Sequence, residues 1–169
     1  MIVRSHSSGE TRSTAVYSAC GRYRYALTRV WDAAAPKLLV VMLNPSTATE
    51  ERNDPTIERV ERRARRLGFG AFRVTNLFAL RATDPKALYA HPDPVGPDND
   101  AAMAEAVAWA DRVLCAWGVH GALLHRDVEA AATLQNGGKP LFHLGLTKAG
   151  APRHPLYVSY AQAPQPWRP

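Results

Sequence analysis

Residues 38–80, LLVVMLNPSTATEERNDPTIERVERRARRLGFGAFRVTNLFAL, carry the pattern from which the fold can be read. Leu38 to Leu43 is an unbroken apolar run, the mark of a strand covered on both faces of a parallel sheet, and Asn44-Pro45-Ser46 ends it abruptly. Phe72 to Phe78 is a second apolar strand that follows a helical pattern, so the unit is β-loop-α-β. In such sheets ligands bind beyond the carboxyl ends of the strands. Both strands finish in polar residues able to meet one, Asn44 and Ser46 in the first and Thr75 and Asn76 in the second.

Between them, Asp54-Pro55 predicts a helix start. Aspartate accepts the orphan amide hydrogens there, and proline is tolerated at the first helical position. Ile57, Val60, Ala64 and Leu67 supply the expected buried stripe, and Gly68 with Gly70 ends the helix. The other faces hold Arg59, Arg62, Arg63, Arg65 and Arg66, partly neutralised by Glu58 and Glu61. Two readings of this face stay open, a solvated charge run and a nucleic-acid surface using Arg62, Arg63 and Arg66. The helix N-terminus, pointing toward the loop, is a better anion site than this flank.

Outward from this unit, Tyr23 to Val30 alternates with period two, which predicts an N-terminal β-hairpin over Ala15–Trp31 at the sheet edge or over one face. Residues 81–97, RATDPKALYAHPDPVGP, form a long Pro/Gly/Asp-rich loop with a helical turn at Pro85–Tyr89, and loops of that length are often functional. A helix over Asn99–Asp111, a strand over Arg112–Trp117, a helix over His120–Leu134 and a strand over Lys139–Leu144 complete the pattern. The expectation is a three-layer α/β/α sandwich with a small, mainly parallel four-stranded central sheet and the N-terminal hairpin. Residues 1–13 read as a flexible arm, 14–160 as a single domain and 161–169 as an irregular tail.

At 169 residues and 46% hydrophobic, the chain suits one α/β domain and is short for two. It has no apolar run of membrane-spanning length and no secretory h-region, which predicts a cytoplasmic protein with no membrane partner. The two cysteines, Cys20 and Cys115, make no disulfide framework, and free, mostly buried thiols are expected. No clustered soft ligands occur, and His120 with His125 fall on different parts of a helical turn, so neither a metal nor another cofactor is expected. The net charge of +6, mainly arginine, favours a polyanionic partner, but composition alone does not name it, whether DNA or a nucleotide, and leaves oligomeric state open. There is no GxSxG elbow, P-loop or GxGxxG.

The runs VMLNPSTATEERNDPTIERV, VTNLFALRATDP, GPDND and LGLTKAGAPRHPLYV resemble a bacterial family, the domain of unknown function numbered 1643, across nearly all of the chain past residue 15. A more distant resemblance is to the uracil-DNA glycosylase superfamily. There an apolar strand ending in NP, a strand ending in TN before a proline-rich loop, a strand ending in WG and a late HP occur in that order. That resemblance implies the sandwich fold and a glycosylase-like hydrolase. It implies that Asn44 positions a hydrolytic water and that His154 contacts the base carbonyl, with Asn76 at the second strand end and Gly118 closing the third. The late motif here reads HPLY instead of HPS, and the iron-sulfur cysteines of some branches are absent.

The chemistry is consistent with those roles. Cleaving an N-glycosidic bond needs a water behind the anomeric carbon and help for the negative charge on the departing base. The Asn44 amide can hold a water, and His154 can donate to the base carbonyl, with Lys148 adding positive charge. Pro45, Ser46, Thr47 and Tyr157 are further candidates for substrate contact, Ser46 and Thr47 through phosphate hydrogen bonds, and Arg153 joins the nucleic-acid candidates. Each residue also has a bland alternative: Asn44 as a turn residue, His154 as a satisfied loop histidine, Lys148 as solvated and Asp54 as a helix cap. Two functional classes stay open: a glycosylase-like hydrolase acting on a nucleobase in DNA or on a nucleotide, and a non-catalytic nucleic-acid or nucleotide-binding module.

Overall fold

The apolar run after Pro36 lies where its two-sided hydrophobicity requires, between other strands of one sheet. The computed structural model describes residues 1–169 and begins with β1 (Ile2–Ser8), β2 (Thr11–Tyr17), β3 (Arg24–Val30) and β4 (Lys37–Met42). These are followed by α1 (Pro55–Arg66), β5 (Ala71–Asn76), α2 (Lys86–Ala90), α3 (Asn99–Trp109) and β6 (Arg112–Cys115). A 3-10 segment at Val119–His125, α4 (Arg126–Asn136), β7 (Leu141–His143), a 3-10 turn at Pro155–Tyr157 and β8 (Gln165–Pro166) complete the chain.

All eight strands join one sheet in the order β1-β2-β3-β5-β4-β6-β7-β8. The pairings of β4 with β5, β4 with β6, and β6 with β7 are parallel, and the other four are antiparallel. This corrects the expected small, mainly parallel four-stranded sheet, and with it the glycosylase-like fold. The sheet is twice that size and mixed, because β3 pairs antiparallel with β5 from Leu27↔Val74 to Val30↔Ala71. The segment read as an edge hairpin is thus a strand inside the sheet, with Tyr25 and Leu27 fully buried. Period-two alternation describes a strand's two faces and says nothing about which neighbours take its backbone groups. The hairpin also begins earlier, at Thr11, and residues 1–13, expected as an arm, hold β1 and the first part of β2, every β1 residue being exposed.

Alternation along β4 divides the core. Leu38, Val40 and Met42 pack against Ile57, Val60 and Ala64 of α1 on one face. Leu39 and Val41 pack with Met103, Ala106 and Val107 of α3 and Ala130 and Leu134 of α4 on the other. Each fully buried aliphatic side chain contributes about 1.5–3 kcal/mol by leaving water. Leu67, expected in the α1 stripe, is 43% exposed, while Arg63 is buried in its place.

The single helix expected over His120–Leu134 is broken. Leu123 is extended, and Leu124 and His125 have φ of 56° and 57° before α4 begins. Gly121 lies so close to Trp117 that a Cβ there would meet the indole at 2.5 Å, which holds this segment against the core. The tail expected to be irregular adds β8 beside β7. Cys115 is buried but Cys20 is exposed, so the expectation of buried thiols holds for one of the two. No helix is long and apolar enough to cross a membrane.

Candidate functional site

At the carboxyl ends of β4 and β6 the chain turns away on both sides and leaves a cavity of about 560 Å³. Asn44, Pro45, Ser46 and Thr47 wall it from the β4 side, and Trp117 and Gly118 from the β6 side. Asp54, Pro55, Thr56 and Ile57, the opening of α1, form a third wall. Ala82, Thr83 and Pro85 bring in the long loop, held by an Ala82 N–H bond to the Pro45 carbonyl at 2.9 Å. His154 and Tyr157 close it from the late segment, Tyr157 at the rim and 92% exposed.

Hydrogen bonds decide which atoms are free for a ligand. Asn44 Nδ2 donates to the carbonyls of Pro45 at 3.0 Å and Ala82 at 2.8 Å, so both amide hydrogens are committed and Oδ1 is left as an acceptor. His154 Nδ1 accepts from the Leu156 amide at 3.3 Å, which puts the ring proton on Nε2 in the neutral form. Burial lowers the His154 pKa from its ordinary value, opposed by the negative charge of Asp54, so the imidazole is a neutral donor near pH 7. Asp54 uses Oδ1 to cap Ile57 N at 2.9 Å and Oδ2 to hold Ala48 N at 3.1 Å. Its capping role is therefore real, and it ties the 44–54 loop to the helix start.

Arg24, at the start of β3, was not among the residues singled out for the site, the arginines of its hairpin having two open readings, as nucleic-acid contacts or as part of a solvated face. Its exposure is 2%, it lines the cavity, and Nη1 donates to the Ala48 carbonyl at 2.9 Å while Nε has no partner. Burial pushes its pKa down to about 10, with Asp54 acting the other way, which leaves it a cation at neutral pH. The available signal was slight: an arginine in an alternating strand reads as solvated until the strand's neighbours are known. Trp117 and His120 were also not singled out for this cavity; His120 Nδ1 lies 3.0 Å from the Tyr89 hydroxyl.

Several expected residues lie elsewhere. Asn76 is 1% exposed, lines no part of the cavity, and neither amide atom of its side chain is partnered. Its strand does not stop there, since Leu77 N and Phe78 N go on to bond Met42 O at 2.9 Å and Leu43 O at 3.0 Å, and the continuing chain covers it. Lys148 is exposed in a turn closed by Gly150 N to Thr147 O at 2.9 Å, outside the cavity wall. Arg153 is exposed, its Nε 3.4 Å from the Leu146 carbonyl. Of the helix arginines, Arg62 pairs with Glu58 at 3.0 Å, Arg66 lies over the Tyr160 ring at 5.2 Å, and Arg63 is buried against three carbonyls of the C-terminal segment. No group of three or more His, Cys, Asp or Glu side chains is placed to hold a metal ion.

A family model described as a protein of unknown function (DUF1643) matches residues 24–156. The matched span encloses every residue of the cavity wall except Tyr157. No curated protein and no solved structure matches the chain.

Proposed function

Because the chain belongs to this family of proteins of unknown function, membership brings no activity with it, and we propose from the cavity alone that the protein binds a nucleobase-containing ligand and hydrolyses its N-glycosidic bond. The observation that carries this reading is the pairing, in one cavity, of an amide oxygen free to accept with a neutral imidazole N–H free to donate. Asn44 Oδ1 accepts a hydrogen bond from the attacking water and fixes its orientation. The C1′–N bond breaks with its electron pair on the base, the water oxygen bonds to C1′, and the water's proton passes to solvent. His154 Nε2–H donates to the base carbonyl as negative charge develops there. Trp117, 2% exposed, supplies an apolar wall of the kind a base requires.

One observation favours a second reading, binding without turnover. The carboxylate of the cavity, Asp54, has both oxygens committed to backbone amides, so it is a poor proton acceptor for water. The two readings separate in a screen of the purified chain against single-stranded and duplex oligonucleotides carrying deaminated or modified bases, and against free nucleotides, with released base followed by chromatography. The hydrolase reading expects base release from at least one probe. It expects Asn44→Ala to lower turnover far more than affinity, and His154→Ala to lower turnover about 10² to 10³-fold. Binding at this cavity with no base released from any probe leaves the binding module in place and removes the hydrolase.

A further inference from the structure

The chain buries four guanidinium groups, and three of them make at least three hydrogen bonds each. Arg29 donates four hydrogen bonds, to Asn53 twice and to the Thr49 and Glu50 carbonyls, and has Glu61 at 3.7 Å. Arg63 donates three to carbonyls through its two terminal nitrogens, its Nε being unpartnered, and Arg126 donates to Leu77 O and to the carboxylates of Asp100 and Glu129. Arg24, as deeply buried as any of them, makes one hydrogen bond and no ion pair, and its Nε is unpartnered. A buried charge left so incompletely paired is unfavourable, and an anion set against it would supply the missing partner. The unused donors belong to a residue of the cavity wall.

The surroundings repeat the same chemistry. The opening of α1 lies in the same wall, with the partial positive charge of a helix N-terminus. The backbone amides of Ser46, Thr47 and Thr56 donate to no acceptor in the protein, and the Ser46 and Thr47 hydroxyls stand beside them. Asp54, the carboxylate of that wall, partly offsets the charge of Arg24, but its oxygens are held by the Ala48 and Ile57 amides and it forms no ion pair with the guanidinium.

We propose that this part of the cavity is a phosphate subsite, in which Arg24, the Ser46 and Thr47 donors and the first turn of α1 take the phosphate group of the ligand. The inference rests on the nucleobase reading only for the rest of the ligand, so it makes that ligand a phosphorylated one, a nucleotide or a nucleic-acid strand, and not a free nucleoside. Planar, multiply donating guanidinium suits a phosphate better than a point charge does.

The test is titration calorimetry of the full chain with inorganic phosphate, ribose 5-phosphate, the common nucleoside 5′-monophosphates, the matching nucleosides and a single-stranded trinucleotide. At least one phosphorylated probe should bind about 10- to 100-fold more tightly than its unphosphorylated counterpart, the range of one or two charge-assisted hydrogen bonds. Arg24→Gln should remove that difference in a chain that still folds cooperatively, with nucleoside affinity kept, and Arg24→Lys should keep part of it. Where Arg24→Gln fails to fold, Ser46→Ala with Thr47→Ala serves instead and should weaken only the phosphorylated probes. Equal affinities of nucleotide and nucleoside for the wild type, no phosphate-dependent binding at all, or a ratio unchanged in folded Arg24→Gln overturns the subsite. Ribose 5-phosphate binding as well as every nucleotide would keep the subsite and remove the nucleobase reading; nucleosides binding as well as nucleotides would do the reverse. The trinucleotide against the monophosphates decides whether the phosphate comes from a strand or a free nucleotide.

Discussion

Replacing Arg63 by methionine tests whether the arginine face of α1 serves the interior. Arg63 is 3% exposed, and its guanidinium donates to the carbonyls of Gln162 at 3.1 Å, Val158 at 3.1 Å and Ser159 at 3.2 Å. Methionine keeps most of the apolar stem and deletes the donors. The three acceptors belong to residues of intermediate or high exposure, so water recovers part of each bond. At a net contribution of roughly 0.5–1.5 kcal/mol per bond, discounted for that recovery, the loss comes to about 2 kcal/mol. Urea denaturation should show a midpoint shift of that size at constant slope, and hydrogen exchange should quicken across residues 155–162. Because His154 and Tyr157 enter the cavity from the start of that segment, ligand affinity should fall as well. Arg62→Met is the control, since Arg62 is exposed and pairs only with Glu58 within its own helix, and it should leave the midpoint and the exchange pattern alone. If the two variants behave alike by both measurements, the anchoring role assigned to Arg63 is wrong.

Acid should destabilise the protein through His154. Burial holds its folded pKa below the ordinary 6.5, so the unfolded chain binds more protons in that interval; its stability contribution is complete above about pH 6.5 and is lost as pH falls through that value toward the folded pKa. Urea midpoints measured from pH 8 to pH 5 should fall, and His154→Gln should flatten the descent; an identical descent in the variant assigns it to other groups. Thiol titration with a disulfide reagent should find one reactive cysteine in the native protein and two after unfolding. Cys20 is exposed, with its pKa lowered by the Ser18 hydroxyl 3.3 Å away, whereas burial raises that of Cys115. Equal native rates for both thiols would contradict the packing of β6.

Much of the local structure was legible in the residues themselves. The unbroken apolarity of Leu38 to Leu43 specified a strand with both faces covered, and Asp54-Pro55 specified the start of α1 to the residue, with the predicted cap bond present at 2.9 Å. Asn44, Ser46 and Thr47 drew notice because a strand ending abruptly in polar residues turns them toward whatever lies beyond its carboxyl end, whereas His154 came from the resemblance; the four line one cavity. Those are local properties: periodicity, capping and turn chemistry depend on neighbours within a few positions. Sheet membership does not. Whether β3 lies at an edge or against β5 depends on which strand takes its amide and carbonyl groups, and the side-chain pattern is nearly the same either way. Asn76 shows the same limit, since only the continuation of its chain along Met42 and Leu43 buries it. Arg24 and Arg63 show it most sharply. Both are arginines in segments that read as amphipathic, and tertiary packing alone decided that one donates to three carbonyls of the C-terminal segment while the other makes a single hydrogen bond and lines the cavity.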